Sequence, residues 1–229
     1  AQADLNRLMD GTFSHQEAGM SEGIVHSELL RRPGKLYVLA SHFHPDHFNK
    51  EVLQWSEQRP DIIFIFSKDI LRHRRAQRED AIWLKKGEEY KDETLRVRAF
   101  GSTDVGVSFL LQAGGKKIFH AGDLNNWHWM DESIEAEWKG AEKNFLHELD
   151  DLYAYTPEVD VALFPVDPRL GKEYMRGAGQ FVTKIKTHIF VPMHFTPEYA
   201  KANAFRDIAE AHGVRFVSLT HRGQKIEIE

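Results

Sequence analysis

The sequence predicts a single α/β domain that spans residues 1–229, and three observations favour this fold class. Short apolar runs typical of buried strands alternate along the chain with longer stretches of helical periodicity. No repeat, low-complexity tract or linker rich in Pro, Gly and Ser interrupts the alternation. The chain is also long enough to bury a sizeable hydrophobic core. One domain of alternating strands and helices is the simplest account.

The individual elements follow from these patterns. Apolar runs predict strands over residues 36–40, 62–66, 95–100, 107–112, 117–120, 159–166, 187–191, 215–219 and 225–229. Apolar side chains spaced three or four residues apart predict helices over residues 48–58, 68–77, 131–155, 179–186 and 198–212. The longest helix would turn one apolar stripe to the core, made by Ile134, Trp138, Phe145, Leu149 and Leu152. The pair Gly114-Gly115 predicts a hairpin turn between two strands.

Composition limits the classes of function. With 41% hydrophobic and 28% charged residues, the chain has the composition of a soluble globular protein. A net charge of -5 argues against duplex nucleic acid as the main partner. The expected partner is a small-molecule substrate. Neither a membrane span nor a signal peptide is expected, so the expected location is the cytoplasm. The absence of cysteine leaves His, Asp and water as the ligands for any metal.

The most informative feature is a loop with four potential metal ligands in six residues. His42, His44, Asp46 and His47 lie in the segment Ser-His-Phe-His-Pro-Asp-His-Phe, residues 41–48, directly after the first predicted strand. Neutral imidazole and carboxylate suit Zn, Mn or Fe, and open sheets display their sites at the C-terminal ends of strands. A chance surface cluster among the 13 histidines is the alternative. The placement of dense ligands after a strand favours a metal site.

Two further strands end in residues that could bind the same metals. Gly122 and Asp123 follow the strand 117–120, and Pro192 and His194 follow the strand 187–191. Taken singly, the Asp could be a turn residue and the His a structural one. Together with the histidine loop they indicate that three strands deliver His and Asp groups to one sheet edge, as in a two-metal site.

In these motifs the chain resembles the metallo-β-lactamase fold superfamily. The resemblance rests on His-x-His-x-Asp-His at residues 42–47, the later Gly-Asp and the late Pro-x-His, and it covers roughly residues 35–229. It implies a four-layer αββα sandwich, in which two mixed sheets carry helices on their outer faces. The short length and plain ending are most similar to the lactonase-like, UlaG-type branch of small metal-dependent hydrolases.

The resemblance also implies a set of ligands and a cofactor. One or two divalent transition metals are expected, with zinc first and manganese or iron as alternatives. The first metal would be bound by His42 and His44, the second by Asp46, His47 and His194, and Asp123 would bridge the two. Asp46 and Asp123 are therefore the expected catalytic carboxylates.

One departure from the superfamily pattern affects the first metal. Relatives usually supply another histidine in a Gly-His-Thr-Pro-Gly-Ser-like segment, where this chain has Gly-Ser-Thr-Asp-Val-Gly at residues 101–106, so Ser102 takes its place. Asp104, His120 or His128 could substitute, or the first site could be weak and only one metal bound. Asp104 is favoured because it lies in the same loop, although it could instead cap a turn.

A second departure lies upstream. Residues 1–34 show little of the strand-rich opening of the relatives, apart from a strand fragment at residues 23–26. This region is expected to be atypical, and either rearranged or mobile.

The expected chemistry follows from the ligands. A metal held by His and Asp lowers the pKa of its water from about 16 to about 7, which gives hydroxide at neutral pH. This hydroxide would attack a carbonyl carbon or a phosphorus, with Asp46 orienting it or handling its proton. The chain has neither a Gly-x-Ser-x-Gly elbow nor a cysteine, which disfavours a covalent acyl-enzyme.

Two segments could contact the substrate. Trp127, His128 and Trp129 could wall a pocket beside Asp123, although the tryptophans could equally pack in the core. Arg169 follows the strand 159–166 and could bind a carboxylate or phosphate, or instead form a salt bridge.

Three functions therefore compete. The first is a metal-dependent hydrolase of a small, anionic ester, lactone or phosphodiester. The second is a nucleic-acid phosphodiesterase, against which the acidic net charge counts. The third is a non-catalytic metal-binding or sensing module with a degenerate first metal site, for which Ser102 argues.

Overall fold

The computed structural model describes residues 27–227, which divide into two compact units. The described part of the first unit comprises residues 27–85 and 220–227, and the second unit is Lys86–Leu219. Each unit has its own sheet, of three and of seven strands, and helices accompany both. The predicted α/β class with two sheets is confirmed, whereas the extent of a single domain over residues 1–229 stays a prediction.

The smaller sheet belongs to the first unit, and its described strands all pair in parallel. Its order is β1 (Tyr37–Ala40), β2 (Ile63–Ser67) and β3 (Ile82–Leu84). The helical segments are α1 (Ser27–Leu30), a 3₁₀ helix (Lys50–Gln54) that continues into α2 (Trp55–Gln58), α3 (Lys68–Arg72) and a second 3₁₀ helix (Arg78–Asp80). Ala40 at the end of β1 and Phe48 share this unit's core with Phe66 and Ile70, so the segment between residues 40 and 48 is packed at both of its ends.

The larger sheet belongs to the second unit and is mixed. Its order is β10–β9–β8–β7–β6–β5–β4, with β4 (Glu89–Lys91), β5 (Arg96–Phe100), β6 (Ser108–Ala113), β7 (Lys116–His120), β8 (Glu158–Pro165), β9 (Lys186–Met193) and β10 (Arg215–Phe216). Strands β4 to β7 form antiparallel pairs, and β7 to β10 are parallel neighbours. Because parallel strands end at the same edge, the C-terminal ends of β7, β8 and β9 lie side by side.

The helices of the second unit bury its sheet. They are α4 (Glu135–Tyr155), a 3₁₀ helix (Pro168–Leu170), α5 (Arg176–Lys184), α6 (Tyr199–Asn203) and α7 (Arg206–Ala211). The apolar stripe of α4 contributes Phe145, Leu149 and Leu152, all 0% exposed, to one core that also contains Phe164 and Phe181 of β8 and α5. This packing fixes α4 and α5 on the unit that carries Asp123 and His194.

Several sequence predictions need correction. The stripe of α4 does not include Ile134, which precedes the first helical residue and is 67% exposed. The predicted helix 198–212 is broken into α6 and α7, and the short strands β3 and β4 were not predicted because three residues carry little periodicity. No strand forms over residues 225–227, and residues 228–229 lie outside the described part of the chain.

The predicted hairpin turn is confirmed. Gly114 and Gly115 have φ values of 56° and 77°, which join β6 to β7 in the manner that two consecutive glycines allow. The strand fragment predicted at residues 23–26 lies outside the described residues, as does most of the opening segment 1–34. Between residues 27 and 227, no helix combines the length and apolar character that a membrane crossing requires.

Candidate metal centre

The histidine loop of the first unit is a tight turn at the end of β1. The backbone N–H groups of His47 and Phe48 both donate to the carbonyl of His44, at 2.9 and 2.8 Å. Phe48 is 1% exposed and anchors the turn in the core. The ring of His42 lies 4.0 Å from that of His47 and 4.7 Å from that of His44, centroid to centroid. The fold of the first unit therefore packs three imidazoles together, and His42 and His47 are buried.

Two contacts tie this loop to its own unit. The backbone N–H of Phe43 donates to Asp69 Oδ2 of α3 at 3.1 Å, and the Phe43 ring stacks on His73 at 3.6 Å. Asp46 is different, because 49% of its side chain is exposed and its Oδ2 lies 3.4 Å from His47 Nε2. The Asp46 carboxylate is therefore accessible from solution, whereas the imidazole beside it is not.

In the second unit, neighbouring strand ends bring three groups together. Asp123 follows β7, Asp167 follows β8 and His194 follows β9. His194 Nδ1 lies 2.8 Å from Asp167 Oδ2, and its Nε2 lies 3.4 Å from Asp123 Oδ1. His194 has a φ of 60°, and left-handed backbone at a residue other than glycine costs about 1–3 kcal/mol and is concentrated at functional sites. The strand ends therefore hold one imidazole between two carboxylates, as predicted for Asp123 and His194 within this unit.

The charges of this group are coupled. Burial opposes ionisation of Asp167, but hydrogen bonds with His194 and Arg169 outweigh it and lower the pKa of Asp167 to about 2. Burial also disfavours the charged form of His194, yet hydrogen bonds to Asp123 and Asp167 raise the pKa of His194 to about 9. The surroundings of His194 thus stabilise positive charge at its ring.

The loop with Ser102 also reaches this edge of the second unit. Asp104 and Asp123 each offer a carboxylate oxygen, and these atoms lie within 4.8 Å of one another. Ser102 Oγ accepts a hydrogen bond of 3.3 Å from the backbone N–H of Asp104, so it shapes the turn. The residue in the place of the expected histidine therefore supports a carboxylate that lies beside Asp123.

The other two candidate substitutes are engaged by the backbone. His128 is 1% exposed; its Nδ1 accepts from the N–H of Met130, and its Nε2 lies 3.1 Å from the carbonyl of Glu173. His120 Nδ1 accepts from the N–H of Gly122 at 3.1 Å. Contacts of this kind are typical of structural histidines, and Asp104 is the geometrically favoured substitute of the three.

The predicted substrate-contacting residues lie around the same edge. Trp127 donates from Nε1 to the carbonyl of Asp123 at 2.8 Å, and its ring meets that of His194 edge-on at 5.4 Å. Trp129 stacks on Trp127 at 6.4 Å. Arg169 donates from Nε and Nη2 to Asp167, while 55% of its side chain stays exposed. Both readings of Arg169 thus have support, since it forms a salt bridge and also faces solvent.

Sequence reasoning missed two groups of this site. Asp167 was not recognised as the partner of His194, although it follows a strand just as Asp123 does. A polar network behind the Asp123 loop was also missed, in which Glu142 of α4 accepts from Asn126 at 2.8 Å and from Arg176 and Gln180 of α5. No local motif announces this network, because its members are far apart in the sequence.

The donors of each unit suit a divalent transition metal. The first unit offers three imidazoles and a carboxylate, and the second offers Asp104, Asp123 and His194. Asp167 on the far nitrogen of His194 is the arrangement that orients metal-binding imidazoles. Nitrogen and oxygen donors without thiolate match Zn, Mn or Fe, so the residues fit the predicted cofactor.

No protein-family model matches the sequence, and no similar curated protein was found. Solved structures do match. Igni18, described as a novel metallo hydrolase from the archaeon Ignicoccus hospitalis, has a TM-score of 0.55 at 18% identity, over 83% of this chain and 78% of that chain. CmlA, a diiron β-hydroxylase from Streptomyces venezuelae, has a TM-score of 0.54 at 13% identity, over 83% of this chain and 45% of that chain.

A third structure carries the name of the fold. YhfI from Bacillus subtilis, described as a metallo-β-lactamase fold protein, has a TM-score of 0.55 at 11% identity, over 79% of this chain and 73% of that chain. Likeness at such low identity concerns the fold and not the reaction. Together with the two sheets and their helices, it shows that this chain has the metallo-β-lactamase fold.

Proposed function

We propose that this protein is a metal-dependent hydrolase that acts on a small, anionic ester, lactone or phosphodiester. The observation that carries the proposal is the group Asp123–His194–Asp167, in which a buried carboxylate orients an imidazole with only 10% of its side chain exposed toward a second carboxylate. The packed imidazoles of the histidine loop supply the complementary donors. The proposal joins these two sets of donors into one metal centre.

Each residue has a defined task in this proposal. His42 and His44 would hold the first metal with Asp104; Asp46, His47 and His194 would hold the second, and Asp123 would serve both. When bound, the metals supply Lewis acidity that brings the pKa of water to about 7 and stabilises negative charge on the reacting group.

The remaining side chains act on water and on the substrate. Asp46, half exposed beside His47, accepts the proton of the attacking water and returns it to the leaving group. Trp127 covers one edge of the His194 ring and limits the access of bulk water to it. Arg169, whose side chain is 55% exposed and whose Nη2 lies 3.3 Å from His194 Nδ1, would place a positive charge beside a carboxylate or phosphate of the substrate. Lactones, the substrates expected of a UlaG-type lactonase, are one substrate class within this proposal.

Metal content and turnover together test the function. The purified protein would be loaded with Zn²⁺, Mn²⁺ or Fe²⁺, its bound metal would be measured, and a panel of lactones, esters and phosphodiesters would be assayed. His44→Ala should lower bound metal and turnover together. His147→Ala, which removes an exposed histidine of α4, is the matched control and should change neither.

Asp46→Asn separates chemistry from binding. If Asp46 moves the proton, the substitution should lower kcat more than it changes KM, because the carboxylate acts mainly in the transition state. Asp61→Asn, at a carboxylate that is 68% exposed, is the control. Protein that binds metal fully but turns over nothing in the panel would favour the sensing module. Turnover confined to polynucleotides, with affinity falling as salt rises, would favour the nuclease.

A further inference from the structure

Thr103 joins two loops: the Asp104 loop, between β5 and β6, and the Asp123 loop, which follows β7. Thr103 Oγ1 donates to the carbonyl of Asn125 at 2.5 Å and accepts from the N–H of Asn125 at 3.0 Å. Asn125 is 0% exposed and lies two residues after Asp123. A single hydroxyl thus satisfies both backbone groups of one buried residue, which fixes the distance between the two loops.

The Asp104 loop is held at further points. Ser108 Oγ, which is buried, donates to the carbonyl of Gly101 at 2.9 Å. Ser102 Oγ accepts from the N–H of Asp104. With Thr103 between these two contacts, the backbone on both sides of Asp104 is constrained. These contacts fix the backbone that presents the Asp104 carboxylate, an oxygen of which lies within 4.8 Å of an Asp123 oxygen.

A carboxylate in place of an imidazole changes which metal ion the site binds most tightly. Zinc is served well by imidazole nitrogen, whereas manganese is better served by carboxylate oxygen. Two carboxylates held close together also repel each other, and a divalent cation between them removes that cost. The Asp104–Asp123 pair therefore favours a cation that accepts oxygen ligands readily.

We propose that Thr103 positions Asp104 as a metal ligand in the place of the expected histidine, and that the Asp104–Asp123 pair shifts metal selectivity toward Mn²⁺ relative to Zn²⁺. The inference rests on the proposed metal centre but not on hydrolysis. Thr103 is a positioning residue, because its hydroxyl is used by Asn125.

Metal affinities of full-length Asp104 variants test the selectivity. Dissociation constants for Zn²⁺ and Mn²⁺ alone would be measured by competition with a chromophoric chelator. Asp104→His, which restores the imidazole, should raise the ratio of Zn²⁺ to Mn²⁺ affinity by at least about tenfold. Asp104→Asn should weaken the binding of both ions. An unchanged ratio in Asp104→His would overturn the proposal.

Thr103 variants test the positioning role. Thr103→Val removes both hydrogen bonds and should weaken Mn²⁺ binding by about tenfold or more, while Thr103→Ser should restore it. The electron paramagnetic resonance spectrum of bound Mn²⁺ should broaden in the valine variant alone. Thr187→Val is the matched control, because Thr187 is also a hydroxyl that bonds a backbone carbonyl, that of Ile185 at 2.9 Å. Equal effects of the two valine substitutions on metal affinity would refute a specific role.

The outcomes separate this inference from the proposed function. If metal selectivity changes as expected but the protein turns over no substrate in the panel, the proposed hydrolase function is refuted and the inference about Asp104 and Thr103 is supported. If the protein turns over substrate but Asp104→His does not change metal selectivity, the inference is refuted and the hydrolase function is supported. Wild-type protein that takes up neither ion would overturn both.

Discussion

Asp167 Oδ2 and His194 Nδ1 are joined by a hydrogen bond of 2.8 Å at the ends of two neighbouring parallel strands. Asp167 is 1% exposed and receives two side-chain N–H groups from Arg169, so it cannot rotate freely. This contact decides which nitrogen of His194 is directed at Asp123. A buried carboxylate that orients an imidazole is the kind of partner that raises the strength of a metal ligand.

The first prediction is that Asp167→Asn weakens metal binding without unfolding the protein. An amide can donate to Nδ1, which favours the wrong tautomer of His194 and withdraws Nε2 as a ligand. Metal affinity, measured by competition with a chelator, should fall by about 10- to 100-fold. Asp150→Asn, at an exposed carboxylate of α4, should leave the affinity unchanged. Wild-type affinity in Asp167→Asn would show that the contact is only structural.

The second prediction concerns two glycines of the same helix. A Cβ on Gly177 would overlap Asn125 Oδ1 and lie 2.9 Å from the backbone nitrogen of Asn126, whereas a Cβ on Gly179 would meet only Ile208 at 4.0 Å. Gly177→Ala should therefore push the Asp123 loop away from α5 and destabilise the protein by about 1–3 kcal/mol. Gly179→Ala should stabilise it by about 0.5–1 kcal/mol, because alanine is the better helix former.

Urea unfolding of the metal-free protein measures both free energies. Metal affinity adds a second readout, since displacement of the loop that carries Asp123 should also weaken binding in Gly177→Ala alone. Two glycine variants that shift stability in the same direction would contradict the close packing of α5 against Asn125 and Asn126.

The candidate ligands could be identified in the sequence because their signals are local. The four donors of the histidine loop are adjacent in sequence, and Asp123 and His194 each follow an apolar run. Most strands could be predicted for the same reason, since an apolar run of five or more residues is itself the signal. The parallel pairing of β7, β8 and β9 brings together the strand ends that Asp123 and His194 follow. The prediction that the histidine loop follows a strand of the same sheet was wrong, because β1 belongs to the three-stranded sheet.

The supporting contacts could not be predicted from the sequence. Asp167 contacts His194 because β8 lies next to β9 in the sheet. No local sequence pattern indicates which strands are neighbours. Thr103 faced the same limit, because its partner Asn125 belongs to another loop. The error at Ile134 has a different cause: the apolar period continues across the start of α4, but the helix begins one residue later.

The third prediction is a pH dependence of stability that arises from Glu142. A hydrogen bond from Arg176, opposed by burial and aided by Gln180 and Asn126, lowers the pKa of Glu142 from 4.5 to about 2. Because the folded pKa lies below the unfolded value, this stabilisation is complete above about pH 4.5 and is lost as the pH falls toward 2. Its size should be about 2 kcal/mol after allowance for solvent screening.

The difference between wild type and Glu142→Gln isolates this contribution. Urea unfolding of metal-free protein between pH 3 and pH 7, about the range that the two pKa values require, should give a gap that narrows toward acid. Glu210→Gln, at an exposed residue of α7, should show no such gap. A gap between wild type and Glu142→Gln that is constant with pH would mean that the network does not depend on the charge of Glu142.

The last prediction decides between the two readings of Arg169. Its backbone N–H donates to Asp167 Oδ1 at 3.0 Å, and Arg169→Ala keeps this bond. Asp167 also keeps its bond to His194, so metal affinity should change little. If the exposed part of the guanidinium binds the substrate, KM for an anionic substrate should rise by about 10- to 100-fold, the worth of a charged hydrogen bond. KM for a neutral substrate of the same shape should stay nearly constant.

Arg215→Ala, at an exposed arginine of β10, controls for the loss of one positive charge. Equal rises of KM for charged and neutral substrates would mean that Arg169 acts only through its contacts with Asp167 and His194, and a fall in metal affinity in Arg169→Ala would confirm that role.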